Sequence, residues 1–395
     1  MPLNGTASAA SINGLKTNDY VNNPWSLIQV ILPSNNVDQN FGYSFATTSD
    51  FTLIVVGAPQ YDGSGTSQGI VYIYSGSPTT GYTQIQTIQS TDIASLDGFG
   101  LSVAVSEDKN YIVVGAPSKL SGSGATYVFV KSGSLYVQQQ KLTHPVSPTS
   151  NSTRFGDAVS IDSTGTYLIV GSIGYDNGSF TNAGRVDIYL RTGSTWSNVK
   201  NYTGVSTDSE YGVSVYINDA GDFIWFGTRG SGSTFVFGAT RTGATWNTPA
   251  YSPLVASPGR AFVAASDDNQ YIAIISGNSE ETVFIRKYAP DQYFPQTSVP
   301  SGAISSSGAD PTITDALPII GNDRYMMSRS LLYQGLNASW SLVNTFYGLY
   351  TNSSTNQLNG PTSIDSTGIY FAGSTYDATV NGVANNGAVY IYTKA

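Results

Sequence analysis

Three Tyr-Asp pairs are the residues best suited to contact a ligand: Tyr61-Asp62, Tyr175-Asp176 and Tyr376-Asp377. Each pair follows an apolar run and leads into a stretch that contains Gly or Asn. A tyrosine ring offers a large contact area at a low entropic cost, and a carboxylate beside it accepts hydrogen bonds. These six residues are therefore the candidate ligand-binding residues, for a sugar or a peptide. The alternative interpretation is that the pairs brace neighbouring structural units.

Catalytic chemistry has few candidate residues. The chain has no cysteine and one histidine, His144, so zinc sites and Ser-His-Asp or Cys-His arrangements are not expected. A lone histidine in a loop is expected to be solvated. The carboxylates fall mostly in turns and loops, which does not suit one buried acid/base pair. Five arginines stand at unlike positions of successive repeats, so no arginine cluster is expected either: Arg154, Arg185, Arg229, Arg260 and Arg324. We predict a protein that is not an enzyme, with no cofactor and no metal.

An internal repeat defines the elements that must position these residues. An aromatic-Gly step recurs at intervals of roughly 56 to 58 residues: Phe41-Gly42, Phe99-Gly100, Phe155-Gly156 and Tyr211-Gly212. Each step is followed by an alternating apolar run, a polar turn, an apolar strand that ends at or near Gly, and two further strands. A long repeat with four short strands per unit is typical of a β-propeller.

The repeat predicts an all-β chain that forms a single seven-bladed β-propeller of four-stranded antiparallel blades. Residues 24–395 would form the propeller, with blades starting near residues 41, 99, 155, 211, 259, 311 and 360, and residues 1–23 a polar N-terminal tail. Trp25–Ile31 has the pattern of an outer strand but no inner strands before it, whereas the last unit, from Gly360, lacks an outer strand. We expect the N-terminal strand to complete the C-terminal blade, which hides sheet edges and holds both ends of the chain.

The repeat resembles a known family. Together with the Phe-Gly steps, the Val-Gly-Ala-Pro segments at residues 56–59 and 114–117 resemble FG-GAP repeats. These repeats form the propeller blades of integrin alpha subunits and of many bacterial and viral surface proteins. The resemblance covers about residues 25 to 394. It is strongest in units one to three and seven, and it implies a propeller.

Many FG-GAP blades carry a calcium loop between their first two strands, and this sequence departs from that pattern. Its corresponding segments are tight turns, such as residues 48–50, 106–110 and 162–165, with one or two carboxylates each. Calcium requires six to eight oxygen ligands. The aspartates are therefore expected to cap their own turns, and the calcium residues of the family do not carry over.

Composition and charge limit the partners and the location. The net charge of −9 and a pI near 4.5 argue against a nucleic-acid groove or an anionic membrane as partner. No apolar run is long enough to span a bilayer, and no secretory signal is recognisable at the N-terminus. The chain is nevertheless poor in charge and rich in Tyr, Ser, Thr, Asn and Gly, as in proteins displayed outside cells or particles. A virion or phage component, assembled in the cytosol and exposed later, fits both observations.

We therefore expect a non-enzymatic interaction or structural module on a virion surface, with a role in particle structure or host attachment. Its tail, or blades five and six, would contact other proteins of a large assembly. The opposite face would contact a glycan or host receptor, without nucleic-acid binding or membrane insertion. The alternative is a carbohydrate-binding adhesin or lectin that is extracellular or on a microbial cell surface. A second alternative is a glycan-processing hydrolase.

Overall fold

A computed structural model describes fourteen segments of the chain: residues 6–7, 25–34, 39–146, 152–230, 234–254, 259–265, 271–277, 282–287, 297–298, 324–328, 331–336, 339–345, 360–365 and 369–394. Every regular element in these segments is a β-strand, and they contain no helix. The all-β prediction is confirmed.

The first three sheets each contain four antiparallel strands, ordered in space as in sequence. Sheet 1 comprises Ser44–Thr47, Leu53–Ala58, Ile70–Ser77 and Gly81–Ile88. Sheet 2 comprises Ser102–Val105, Tyr111–Ala116, Ala125–Ser132 and Leu135–Thr143. Sheet 3 comprises Phe155–Ile161, Tyr167–Ser172, Arg185–Thr192 and Thr195–Thr203.

The next three sheets are less regular. Sheet 4 comprises Val215–Ile217, Phe223–Gly227 and Thr234–Thr242, and two short strands, Thr245–Trp246 and Ala250–Leu254, that both pair with Thr234–Thr242. Sheet 5 comprises Arg229–Gly230, Gly259–Ala265, Tyr271–Gly277, Thr282–Lys287 and Thr297–Ser298. Sheet 6 has three described strands: Arg324–Ser328, Leu331–Leu336 and Ser339–Thr345. The predicted blade start near residue 311 lies outside the described residues.

Sheet 7 joins the two ends of the chain. Thr362–Ile364, Tyr370–Thr375 and Ala388–Lys394 form its C-terminal part, and Trp25–Ile31 pairs with Ala388–Lys394. A two-residue strand, Thr6–Ala7, pairs with the other edge of Trp25–Ile31. The rest of the predicted tail, residues 1–5 and 8–23, lies outside the described residues.

Close backbone contact between neighbouring sheets explains the repeated glycines. Gly100 has a φ of +88°, and its carbonyl accepts a hydrogen bond of 2.8 Å from the Ser44 hydroxyl of sheet 1. A β-carbon on Gly57 would lie 2.1 Å from the same carbonyl oxygen. Gly100, of the Phe99-Gly100 step, and Gly57, near the end of the second strand of sheet 1, thus contact each other directly. Only glycine fits both positions.

The same contact links further pairs of sheets. Ser102 donates to Gly156 at 2.8 Å, Ser214 to Ala261 at 3.0 Å and Ser374 to Gly42 at 2.7 Å. Between sheets 3 and 4, a β-carbon on Gly171 would lie 2.2 Å from the carbonyl oxygen of Gly212. Sheets 7, 1, 2, 3, 4 and 5 therefore follow one another side by side. Buried aliphatic and aromatic side chains fill the space between neighbouring faces.

Candidate functional site

The Tyr61-Asp62 pair lies in the loop between the second and third strands of sheet 1. Tyr61 is half-buried and packs against the core between sheets 7 and 1. Asp62 is exposed, and its Oδ1 accepts a hydrogen bond of 2.6 Å from the backbone amide of Ser67. The carboxylate thus closes its own loop and fixes the backbone that carries the tyrosine ring.

The Tyr175-Asp176 pair occupies the same loop of sheet 3. Asp176 Oδ1 accepts a hydrogen bond of 2.8 Å from the backbone amide of Asn182, so this carboxylate also closes its loop. The Tyr175 ring has one aromatic and one cationic neighbour, His144 and Arg185. It stacks on His144 at a centroid distance of 5.0 Å, and the Arg185 guanidinium lies 5.5 Å from its centroid.

The Tyr376-Asp377 pair occupies the corresponding loop of sheet 7. The half-buried Tyr376 ring contacts Tyr43, which follows the Phe41-Gly42 step of sheet 1, at 5.2 Å between centroids. The segment that leads into sheet 1 also contacts this loop, because the side-chain amide of Gln39 donates to Asn386 Oδ1 at 2.9 Å. This pair therefore lies at the boundary between sheets 7 and 1.

All three pairs lie in loops that join second to third strands, which start from the same end of each sheet. The loops of sheets 7 and 1 belong to neighbouring sheets, whereas sheet 2 separates Tyr61 from Tyr175. In sheets 1 and 3 the tyrosine stands four residues after the glycine of the second strand. The residue at this position in sheet 2 is Lys119. Because sheet 2 lies between sheets 1 and 3, Tyr61 and Tyr175 form separate points on one face. Their assignment to ligand binding remains a prediction.

Lys119 forms a buried ion pair with the connection between sheets 1 and 2. Its Nζ lies 2.8 Å from Asp97 Oδ2, and both side chains are less than a tenth exposed. The same Nζ donates to the backbone carbonyl of Asp92. The Asp92 carboxylate in turn accepts hydrogen bonds from Tyr127 and Lys141. Burial alone would raise the pKa of Asp92. The hydrogen bonds that its carboxylate accepts, of which the one from Lys141 has the largest effect, lower the pKa to about 2.

The expectation of a solvated His144 is wrong. Its side chain is 8% exposed, its Nδ1 lies 2.7 Å from the Val146 carbonyl oxygen, and its ring edge meets Phe155. A polar loop residue is buried here because its imidazole stacks on the Tyr175 ring and meets the Phe155 ring edge-on. Burial lowers the pKa of His144 below its usual value.

A buried Arg-Asp pair was missed by the sequence analysis, which placed the carboxylates in turns and loops. Arg185 and Asp187 lie on one face of the third strand of sheet 3, with two hydrogen bonds from Arg185 Nε and Nη2 at 2.9 and 2.7 Å. The side chain of Asp187 is fully buried. The repeat in the sequence pointed to this position. Three residues after the glycine that precedes the third strand, sheets 1, 2 and 7 have a tyrosine: Tyr72, Tyr127 and Tyr390.

The other four arginines that the sequence analysis considered do not form a cluster in the described segments. Arg154 forms an ion pair with Asp157, and Arg229 with Glu210. The side chains of Arg260 and Arg324 lie outside the described residues. The described arginines therefore serve separate local contacts.

The aspartates at the opposite end of the sheets cap their turns, as predicted. Asp162 Oδ1 accepts hydrogen bonds from the amides of Thr166 and Tyr167, and Asp365 Oδ1 from those of Ile369 and Tyr370. Asp50 accepts three hydrogen bonds from Thr48 and Thr52. In the described segments, no three His, Cys, Asp or Glu side chains are grouped so as to hold a metal ion. No helix in those segments could cross a bilayer.

Solved structures with a similar fold are β-propellers, and this class of fold therefore describes the chain. A candidate 6-phosphogluconolactonase from Bacteroides uniformis shares 13% identity at a TM-score of 0.56, over 80% of this chain and 87% of that one. The periplasmic gluconolactonase of Pseudomonas aeruginosa shares 14% at 0.52, over 77% and 85%. Hydrazine synthase of Kuenenia stuttgartiensis shares 11% at 0.56, over 90% and 96%. At such identities the likeness concerns the fold alone.

The FG-GAP resemblance is confirmed for one repeat. The FG-GAP repeat model matches residues 82–129, from the outer strand of sheet 1 to the third strand of sheet 2. The chain therefore contains an FG-GAP repeat within its propeller. No curated protein matches the chain in sequence. The fold neighbours include gluconolactonases, so the comparisons do not support the prediction that the chain is not an enzyme.

Proposed function

We propose that the chain is a closed seven-bladed β-propeller that works as a non-catalytic interaction module on the surface of a virion or phage particle. Trp25–Ile31, paired with the last strand, would be the outer strand of the seventh blade. Sheets 5 and 6, with the tail, would contact the particle. The face with the Tyr-Asp loops would meet a glycan or host receptor.

The observation that carries this proposal is the way two of the three loops are built. Asp62 and Asp176 bond the backbone of their own loops, which leaves half-buried tyrosine rings on a fixed frame. A fixed aromatic ring binds a sugar or a peptide without first losing much conformational entropy. Display on a particle would add many weak contacts into one strong attachment.

Tyrosine substitutions test this binding face. The wild-type protein is applied to a glycan array, beside Tyr61→Ala and Tyr175→Ala, and Tyr61→Phe serves as the matched control that keeps the ring. The proposal expects binding that the alanine variants lose and the phenylalanine variant largely keeps. Binding that all variants retain would reject these residues as the site.

A second candidate function rests on the fold comparison. Two of the similar structures are gluconolactonases or candidates for that activity, so a hydrolase acting on a sugar lactone is the specific rival. Hydrolysis of 6-phosphogluconolactone and of a chromogenic glycoside panel is measured from pH 4 to 9 against a no-protein control. Turnover above that control would replace the non-catalytic proposal.

A further inference from the structure

Exposed apolar side chains are concentrated on two surfaces. Ten large hydrophobic residues are exposed in the described segments, and nine of them fall into two groups. The first group, the apolar arc, has one residue in each of five consecutive loops on the Tyr-Asp face: Leu96, Leu120, Val146, Phe180 and Val205. The second, the outer rim, lies on the fourth strands of sheets 1 to 3: Ile85, Leu135, Val137 and Val199. Single exposed apolar residues are ordinary, but grouped ones mark interaction surfaces.

The arc is continuous because hydrogen bonds join its loops. Lys119 Nζ lies 2.8 Å from Asp97 Oδ2, which joins the loops of Leu120 and Leu96. The Arg154 amide donates to the Gly122 carbonyl at 2.8 Å, between the loops of Val146 and Leu120. The Gly174 amide donates to the Thr153 carbonyl at 3.2 Å, between the loops of Phe180 and Val146. The Asp208 amide donates to the Thr181 carbonyl at 2.8 Å, between those of Val205 and Phe180. The five loops therefore form one connected surface beside the Tyr-Asp pairs, and Phe180 shares its loop with Tyr175-Asp176.

Two leucines of the arc are held in an unfavourable backbone conformation. Leu96 has a φ of +66° and is 65% exposed, and Leu120 has a φ of +56° and is 49% exposed. The left-handed region is sterically unfavourable for a residue with a β-carbon, and asparagine or glycine is usual there. Strained backbone and an exposed leucine together point to a role in contact with a partner.

The two surfaces differ in charge. The loops of the arc face contain more acids than bases: Asp62, Asp92, Asp97, Asp176, Asp208 and Glu210 against Lys119, Arg154 and Arg229, of which Arg229 is paired with Glu210. Lys119 and Arg154 are already in ion pairs, whereas Asp62, Asp176 and Asp208 form none among the described residues. The three outer strands contain no acid at all. Lys200 follows Val199 on the outer strand of sheet 3, without an ion pair to any described side chain.

We propose that the apolar arc of one copy binds the outer rim of a second copy. Apolar side chains would meet in the centre. The unpaired aspartates in the loops of the arc face would meet Lys200, next to the rim. Because the two surfaces are different parts of the molecule, the contact is head-to-side and generates rings or chains of copies. The proposal goes beyond the ligand at the Tyr-Asp loops and holds whether or not those loops bind a sugar.

Sedimentation equilibrium of the purified full chain tests self-association. The proposal expects an average mass that rises above 41.8 kDa as the protein concentration increases. The association should weaken with added salt, since part of it is attraction between exposed charges. A mass of 41.8 kDa at every concentration up to about 200 μM, which is enough to populate complexes with micromolar dissociation constants, would overturn the proposal.

Two variants identify the surfaces. The arc variant carries Leu96→Asn and Leu120→Asn, which suit the positive φ and so preserve the fold. The rim variant carries Val137→Glu and Val199→Glu, which place acids opposite an acidic arc. Each variant alone should remain a monomer. Ile369→Asn should associate like the wild type, since Ile369 is the one large exposed hydrophobic residue of the described segments that lies outside both surfaces.

Mixing the two variants distinguishes a head-to-side contact from a symmetric one. The arc variant keeps its rim and the rim variant keeps its arc, so an equimolar mixture should form dimers of twice 41.8 kDa and nothing larger. A mixture that stays monomeric while the wild type associates would contradict the arc-to-rim contact. Loss of glycan binding in the Tyr61→Ala variant would not affect either result, so the two proposals fail separately.

Discussion

The side-chain amide of Gln86 forms two hydrogen bonds with the backbone of Tyr136. Its Nε2 donates to the Tyr136 carbonyl and its Oε1 accepts from the Tyr136 amide, both at 2.8 Å. The two residues lie on the outer strands of sheets 1 and 2. Gln140 forms the same pair of bonds with Trp196 of sheet 3, at 3.1 and 2.8 Å. Neighbouring outer strands are thus joined at the periphery, far from the contacts of the inner strands.

Loss of one such amide should destabilise the propeller. Gln140→Ala leaves the Trp196 backbone without its two partners, and we expect a loss of about 1–3 kcal/mol in the free energy of unfolding in urea. Gln140→Glu should lie between, because a carboxylate accepts from the amide but cannot donate to the carbonyl. Gln138→Ala, an exposed position of the same strand, is the control and should change little. Equal effects of Gln138→Ala and Gln140→Ala would contradict this account.

The buried Lys119–Asp97 pair should be much more sensitive than an exposed pair. Lys119→Met leaves the Asp97 carboxylate buried without its partner, and we expect a loss of about 3–5 kcal/mol. The double variant Lys119→Met/Asp97→Asn should recover part of this loss, because no uncompensated charge remains. Lys109→Met breaks the exposed pair with Asp50 and should lower the free energy of unfolding by less than about 1 kcal/mol. Thermal and urea unfolding of the four proteins would measure these differences.

Stability should fall in mild acid because of His144. Burial lowers its pKa in the folded chain, whereas the unfolded chain titrates near 6.5. Below pH 6.5 the unfolded state therefore binds a proton that the folded state does not, and stability is lost as the pH falls toward the folded pKa. Above pH 6.5 this effect is absent.

The variant His144→Phe isolates this contribution, since the chain has one histidine. Phenylalanine keeps a ring against Tyr175 but cannot titrate. The urea midpoint of the wild type should fall between about pH 6.5 and 5, before most carboxylates titrate, and that of the variant should stay flat. A parallel decline in both proteins would show that another group is responsible.

The close approach of sheets 2 and 3 should reject a methyl group. A β-carbon on Gly115 would lie 2.0 Å from the Gly156 carbonyl oxygen, so Gly115→Ala must move one sheet and should cost about 3 kcal/mol. Gly133→Ala is the control, since its β-carbon would meet nothing within 4 Å and only its φ of +63° opposes alanine. We expect about 1 kcal/mol there. Similar losses of the free energy of unfolding for both variants would contradict the close-contact explanation.

Much of the fold could be predicted because strand pattern and repeat carry local information. The outer strand Trp25–Ile31 has the predicted bounds, since its leading tryptophan and alternation repeat those of Tyr82 and Tyr136. The Phe-Gly steps were recognisable without a structure, but their reason, the carbonyl of Gly100 against Gly57, depends on a neighbouring sheet. Sheet 4 departs from the pattern because its fourth strand is split.

The candidate site was predictable only in part. Tyr61, Tyr175 and Tyr376 each follow an apolar run of the sequence, and in the structure that run is the second strand of its sheet. The sequence could not place His144 against Tyr175, because the connection that carries His144 has no repeat to compare with. It could have drawn attention to Asp187, whose carboxylate replaces the tyrosine of sheets 1, 2 and 7, and to Arg185, since residues two apart on a strand share one face.

Fractionation of the native source on a density gradient, with mass spectrometry to locate this chain, tests the proposed role most directly. The account predicts that the chain sediments with a large particle and stays there after a high-salt wash. Recovery of the chain only in soluble fractions, at or near the 41.8 kDa of a single copy, would contradict a particle component.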